Sequence, residues 1–440
     1  MSFGLVWIVP FVGLLLSIAV MPLAAPGLWH RHFGKIAAFW AVAFALPFAA
    51  LCGLRAASAA VLEVLVFEYV PFVILLTALF TVAGGIRLTG SIRGTPGVNT
   101  LMLLIGTVAA SIMGTTGAAM LILRPLIRAN RQRRYNTHVF VFFIFLVANI
   151  GGALSPLGDP PLLLGFLQGV PFFWPTVHLF LPMVLMAAPL LVIFHILDRR
   201  FHRRGWHEEV DPLAEIERLG IDGKINLVLL LLIPAVVFAT GEAGAYGAFE
   251  ALSLRINPAT LLGNLMLVGI AAASLRLTSQ TTRDANHFSW RPMLEVAKLF
   301  AAIFITIIPA LAILRAGPHG PLAPLVGLLG PGPGQLALYF WLTGGLSSLL
   351  DNAPTYLVFF NLADAGRAAF GEAPAGILAA ISAGAVFMGA NTYIGNAPNF
   401  MVKAMCEERG VTMPSFFGYL VWSGTILIPL YLLVTAILFH

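Results

Sequence analysis

The sequence is poor in charge, in cysteine and in the residue clusters from which most enzymes build their sites. Of its 440 residues only 10% are Asp, Glu, Lys or Arg, against about 25% in soluble globular domains. So few charges cannot clothe a water-facing surface, which excludes an ordinary soluble domain. The two cysteines, Cys52 and Cys406, are far apart and each lies in or beside an apolar run. Neither a disulfide framework nor a cysteine metal site is indicated. The ten histidines fall mostly in loops or near the ends of apolar runs, and no His/Cys cluster lies inside one. A metalloenzyme reading therefore has no support, and a membrane-embedded enzyme lacks a paired nucleophile and base. No nucleotide-binding P-loop occurs, so ATP-driven work by this chain is unsupported as well.

What the chain has is apolar sequence: 59% hydrophobic residues and a mean hydropathy of +0.92. Runs of about 20 apolar residues, each enough to cross a bilayer core as a helix, are separated by short polar punctuation. The pattern predicts an all-α polytopic membrane protein with about ten full spans. These lie near residues 3–24, 36–54, 61–86, 136–168, 176–197, 224–241, 258–277, 292–316, 374–405 and 415–439. The opening MSFGLVWIVPFVGLLLSIAVMPLAA lacks a basic n-region and reads as a retained first span. Two further runs, 97–127 and 335–364, are interrupted midway by small or polar residues and read as re-entrant hairpins.

The net charge of +6 could suggest a nucleic-acid partner, but its distribution points to the bilayer. With the N-terminus outside, twenty-one of the twenty-five Lys and Arg fall in inner loops, as the positive-inside rule requires. Both termini are then expected outside, with membrane lipid as the surroundings and no nucleic-acid partner. Arg124, near the inner exit of the first hairpin, is expected to snorkel to the interface rather than to contact an anion. The run RANRQRR (128–134) reads as an orientation signal with anionic-lipid contact. Glu63 and Glu68 read as interfacial carboxylates.

An internal repeat accompanies this layout. ALSPLGDPPL (153–162) aligns with ANTYIGNAPN (390–399) at an offset of 237, and the same offset carries Ser111 onto Ser348. Residues 1–197 and 224–440 thus form two halves, joined by a charged connector at 198–223 whose DPLAEIERLG segment suits a short surface helix. Each half holds three spans, a hairpin, a broken span and a final span. Five full crossings per half invert the second half relative to the first, an architecture common among secondary transporters.

Four polar clusters interrupt the apolar runs: SIMGTTGAAM (111–120), NIGGALSPLGDPPLL (149–163), LSSLLDNAPTY (346–356) and MGANTYIGNAPNFM (388–401). Broken helices are tolerated at bilayer depth where they line a polar cavity or are buried in protein. Their freed carbonyls hold cations, and their half-helix N-termini attract anions. Candidate ion or substrate ligands are Ser111, Thr115, Thr116, Asn149, Ser155, Asp159, Ser348, Asp351, Asn352, Thr355, Asn391, Thr392 and Asn396. Two readings stand for the carboxylates. Asp159 before Pro160, and Asp351 or Asn352 before Pro354, are what helix N-caps look like. Alternatively, an ionisable side chain at bilayer depth marks an ion pathway.

At these clusters the sequence resembles the ion transporter superfamily, which includes D-type Na⁺/H⁺ antiporters, arsenite-efflux permeases, and citrate and dicarboxylate carriers. ANIGGALSPLGDPP (148–161) and LSSLLDNAPT (346–355) resemble the family's first broken-helix and second hairpin motifs, and NTYIGNAPN (391–399) its second broken helix. The resemblance implies a scaffold domain and an elevator-like transport domain, in many members as a homodimer. It implies an integral protein of the bacterial inner membrane, with no cofactor beyond Na⁺ and H⁺ as transported or coupling ions. The hairpin-tip residues Gly114-Thr115-Thr116 and Asp351-Asn352-Ala353 depart from the Ser-Asn-Thr pairs of the dicarboxylate carriers. The expected function is Na⁺/H⁺ antiport, with Asp159 and Asp351 taking Na⁺ or a proton alternately. The alternative is ion-coupled transport of an organic anion such as citrate or a dicarboxylate.

Overall fold

The computed structural model describes residues 4–440 except 91, 206–219, 244–248, 252–253, 287, 317–319, 322, 324–326, 328, 331 and 371–374. The surface helix expected within the connector falls outside the described residues. Among those described, eight helices are long and apolar enough to cross a membrane, and a ninth candidate is bent by 44° between Arg291–Thr306 and Ile308–Leu314. The chain is an integral, polytopic, helical membrane protein. Its few extended residues form two short antiparallel ribbons, Arg87–Thr89 with Gly220–Asp222 and Phe249–Ala251 with Leu254–Ile256.

Prolines set many helix starts. They occupy the first turn of Pro26–Cys52, Val70–Ala83, Pro96–Met113, Pro160–Leu167, Pro258–Leu277 and Ala397–Glu408, where the missing N–H removes only a donor that lacks an intrahelical partner anyway. Thr95, Asn257, Ser279 and Ser415 cap their helices through side-chain oxygens. The second span starts at Pro26, ten residues before the apolar run at 36, because the polar segment WHRHFGK continues the helix that Pro26 nucleates.

Both expected hairpins are pairs of helices. Pro96–Met113 and Thr115–Ala129 turn at Gly114, whose φ of 79° favours glycine. Gln335–Ser347 and Asn352–Phe370 turn through Ser348–Asp351. The first arm, Pro96–Met113, is by length and composition alone sufficient for a full span. Both expected broken spans are broken. Thr137–Leu146 leads through a 3₁₀ turn at Ile150–Leu154 to Pro160–Leu167. Ala375–Met388 leads through Gly389–Asn391 to Ala397–Glu408.

Packing divides the helices by type, not by sequence half. Pro26–Cys52 packs on Arg291–Thr306, and Val70–Ala83 packs on Pro258–Leu277 and Ile225–Ala243. A buried polar knot tightens this group: Arg283 donates to Ser274 O and Oγ at 2.8 Å and to Thr81 O at 3.1 Å, while Asn226 donates to Thr278 Oγ1 at 2.7 Å. The hairpins, the broken spans, Trp174–Gly205 and Phe416–Leu438 form a second group. Its centre is the first broken span: 89% of Thr137–Leu154 is buried, against 22% of Leu5–Pro22 and 17% of Arg31–Cys52. Equally apolar helices with so little burial show their side chains outward, as lipid-facing helices do.

The sequence offset of 237 recurs in the hydrogen bonds. Ser111 Oγ donates to Gly151 O at 2.5 Å, and Ser348 Oγ donates to Met388 O at 3.1 Å. Ser155 Oγ donates to Ser111 O, and Thr392 Oγ1 donates to Ser348 O at 2.6 Å. Leu157 N donates to Ser155 Oγ at 3.1 Å, and Ile394 N to Thr392 Oγ1 at 3.2 Å. Each break also folds back on a glycine pair. A Cβ on Gly158 would meet Gly152 O at 2.1 Å, and one on Gly395 would meet Gly389 O at 2.6 Å. Backbone atoms of the same break cannot move aside. Gly158→Ala is therefore expected to cost at least the 1–3 kcal/mol typical of overpacking, roughly, read as a lower melting temperature in detergent. Gly97→Ala, with nothing within 4 Å of its Cβ, should leave the melting temperature unchanged.

Candidate functional site

The second group converges on Asp159. Its residue stands at the N-cap position of Pro160–Leu167 with extended backbone (φ −145°, ψ 145°), yet its side chain makes no capping hydrogen bond. The sequence explains why. Pro160 and Pro161 have no N–H, and the next two amides, Leu162 N and Leu163 N, already bond Asp159 O at 3.1 and 3.3 Å. No amide is left for the carboxylate to cap. The cap reading of Asp159 is thus corrected: the backbone caps, and the carboxylate is released to face inward. It is 2% exposed.

Three side chains from three other elements satisfy it. Thr115 Oγ1, at the first hairpin's tip, donates to Oδ1 at 3.3 Å. Asn352 Nδ2, at the second hairpin's tip, donates to Oδ2. Asn396 Nδ2, at the break of the second broken span, donates to Oδ1 at 3.2 Å and also reaches Asn149 Oδ1 at 3.2 Å. Asn396 is the offset partner of Asp159, and Asn352 that of Thr115.

Asp351 behaves differently. Its Oδ1 accepts from Ala353 N at 3.2 Å, and its backbone carbonyl accepts from Thr355 Oγ1 at 3.0 Å. This is an N-cap of the second hairpin's return arm, so here the cap reading fits. Asp351 still lines the cavity that Asp159 faces. That cavity measures about 90 Å³ and is walled by Thr115, Thr116, Asp159, Asp351, Asn396 and apolar side chains of both packing groups, Phe80, Met293 and Phe300 among them. No basic side chain lines it. Its volume is well below the roughly 300–1,000 Å³ usual for organic ligands and suits a small ion or a few waters.

The remaining candidates separate by role. Ser111, Ser155, Ser348, Asn391 and Thr392 bond backbone or one another at the breaks, with Asn391 Nδ2 donating to Ser348 Oγ at 2.8 Å; none of them touches Asp159. Thr116 meets only the cavity, and Thr355 only Asp351. Asn149, buried, donates to Asn399 Oδ1 at 2.7 Å. Asn399 escaped the sequence reading. It donates to Gly389 O and Thr392 O at 2.8 Å, and its signal was a second amide three residues after Asn396. A second omission is the buried group around Asp198, which lies 2.5 Å from Arg133, 2.7 Å from His138 and 3.0 Å from Asn99. Each of these partners lies sixty or more residues from Asp198, so no local pattern announces them.

The arrangement brings four helix N-termini together: those of Thr115–Ala129, Pro160–Leu167, Asn352–Phe370 and Ala397–Glu408. Each carries roughly half a positive charge. Residues 1–439 match a family described as "Putative citrate transport". The chain belongs to this family. It is 24% identical over 369 residues to uncharacterized transporters of Mycobacterium bovis and Mycobacterium tuberculosis, a match covering 79% of this chain and 80% of each relative. This member of the citrate transport family is accordingly a transport protein and not an enzyme.

The two carboxylates make separable predictions. Asp351→Asn preserves an N-cap and should leave thermal stability unchanged, while Asp351→Ala should lose about 0.5–2 kcal/mol. Asp159→Ala leaves the buried donors of Thr115 and Asn352 without their acceptor, at roughly 1–3 kcal/mol each, while Asn396 keeps Ala148 O and Asn149 Oδ1. Thermal unfolding in one detergent should therefore rank Asp159→Ala below Asp351→Ala.

Proposed function

We propose that the protein is a secondary transporter of a small carboxylate anion, with citrate as the leading substrate, coupled to a proton or a cation taken up beside Asp159. The observation that carries this reading is the convergence of four helix N-termini on one buried carboxylate. A site built from backbone dipoles, without arginine or lysine, favours an anion and releases it more easily than a fixed cation does.

The charge balance supports coupling. Four N-termini contribute about +2 in total, and Asp159 and Asp351, when ionised, contribute −2. An anion entering a centre already balanced must arrive with a proton on a carboxylate or with a cation. The cavity of about 90 Å³ is where the coupling ion sits in this reading. Admission of the organic anion requires the hairpin tips to separate from the apolar wall formed by Phe80, Met293 and Phe300. In the same reading the two halves are inverted repeats, both helix pairs are re-entrant, and the second packing group moves as an elevator against the first. The first group is then the static part through which two copies associate in the inner membrane, with both termini outside.

Na⁺/H⁺ antiport is the second reading, favoured by the small cavity volume and by the absence of any salt-bridge partner for Asp159 among the described residues. Proteoliposomes separate the two. The expected outcome is uptake of radiolabelled citrate driven by an imposed pH or Na⁺ gradient, with at least a tenfold loss in Asp159→Asn. Absence of citrate and dicarboxylate uptake under every gradient, together with Na⁺-dependent collapse of a pH gradient, would replace the carboxylate reading with antiport.

A further inference from the structure

A second cavity, of about 580 Å³, shares no residue with the one at Asp159. Its wall holds Arg87, Arg124, Arg128 and Arg409 against one carboxylate, Glu408, with Ile127, Ala285 and Met405 completing it. The elements that meet here come from both packing groups. Arg124 and Arg128 lie on the return arm of the first hairpin, and Glu408 and Arg409 end the second broken span. Arg87 lies on the short strand after the third span, and Ala285 ends the short helix Gln280–Ala285.

Among the described residues that line this wall, four are arginines and one is a carboxylate. Arg87 has Asp222 at 3.7 Å, but its Nε is buried without a hydrogen-bond partner. Arg128 Nη2 donates to Leu88 O at 2.8 Å, a contact across the two groups. The guanidinium groups of Arg124 and Arg409 make no hydrogen bond and no ion pair among the described residues. Arg409 and Arg128 are close enough to repel Arg124, and Glu408 partly offsets them. Glu407 does not help, because Lys403 holds it at 2.7 Å. Charges that served only to orient the chain would spread into solvent. Here like charges are gathered around one cavity, an arrangement that raises the local anion concentration.

We propose that this cavity is a binding site for a multiply charged oxyanion. Guanidinium groups present paired donors that match carboxylate and phosphate oxygens, and the volume lies within the roughly 300–1,000 Å³ range of small-ligand sites. Two sources supply such a ligand: a soluble polycarboxylate and the phosphate headgroup of an anionic lipid. Bound there, the oxyanion bridges the hairpin and broken span to the strand and short helix of the other group. Arg124 is then a ligand and not a snorkelling anchor.

The test uses the full-length protein and two probes. Radiolabelled citrate binding is measured in uncharged detergent, and each variant is compared with its parent so that binding at the central site is common to both. Thermal stability is measured in nanodiscs of phosphatidylcholine with and without about one fifth phosphatidylglycerol. The double variant Arg124→Gln/Arg409→Gln is expected to lose at least tenfold in citrate affinity, which assigns a soluble polycarboxylate, or to lose the stabilisation by phosphatidylglycerol, which assigns a lipid headgroup. Unaltered responses to both probes, in a double variant as stable as its parent in pure phosphatidylcholine, would overturn the site. Arg409→Gln alone, at an exposed position, serves the same reading if the double variant does not fold. Citrate uptake by otherwise native protein is scored separately, so failure of the oxyanion site and failure of the carboxylate-transport reading are told apart.

Discussion

The centre of this molecule depends on one carboxylate having to be satisfied away from water. Removing a charge from solvent costs several kcal/mol unless donors surround it, and among the described residues no basic side chain lines the cavity that Asp159 faces. Its donors are hydroxyl and amide groups of Thr115, Asn352 and Asn396, which lie 44, 193 and 237 residues away in the chain. Two hairpin tips and two broken spans must therefore arrive at the same point. Any displacement of one of them leaves a buried acceptor short of a donor, which couples the four elements mechanically as well as energetically.

That requirement explains the polar residues that do not touch Asp159. A helix interrupted inside an apolar core leaves backbone groups without partners, and each unpaired one costs free energy. Ser111 and Ser155 close the first break, Ser348 and Thr392 the second, by hydroxyl bonds to carbonyl oxygens at matching positions. Glycine pairs let each break fold on itself at distances a side chain forbids. Hydroxyls and glycines build the breaks; the carboxylate, two amides and the Thr115 hydroxyl occupy the centre they create.

The two cavities handle charge in opposite ways. At Asp159 the positive character comes from helix ends, spread over many peptide units and lined by apolar side chains. At Arg124 it comes from guanidinium groups carrying full charges. Dipoles hold an anion loosely enough for it to leave again, while fixed charges with paired donors hold it longer. The first suits passage and the second suits residence.

Much of this was legible before any coordinates. Apolar run lengths of about twenty, the positive-inside bias and the paired interruptions are local properties, set by the bilayer's thickness and by what glycine and proline do to a helix. They placed most apolar helices and both breaks. Where ten full spans were expected, however, eight helices among the described residues are long and apolar enough to cross, with a ninth bent pair. Pro26 and Leu54 also start the second and third helices well before the apolar runs do. The four clusters also contained every side chain that hydrogen-bonds Asp159, though not the apolar wall of Phe80, Met293 and Phe300. Even the failure of Asp159 to cap was written in DPP, since two prolines remove the amides a cap would serve. What the sequence left open was the division of roles. Asp159 and Asp351 both precede prolines and look alike in one dimension. Packing alone brings Thr115, Asn352 and Asn396 onto the first and leaves the second to its own helix, gathers Arg133 and His138 on Asp198, and sets Arg124 opposite Arg409. Those pairings join residues up to hundreds of positions apart, and no short-range periodicity encodes which distant side chain will be within a hydrogen bond's length.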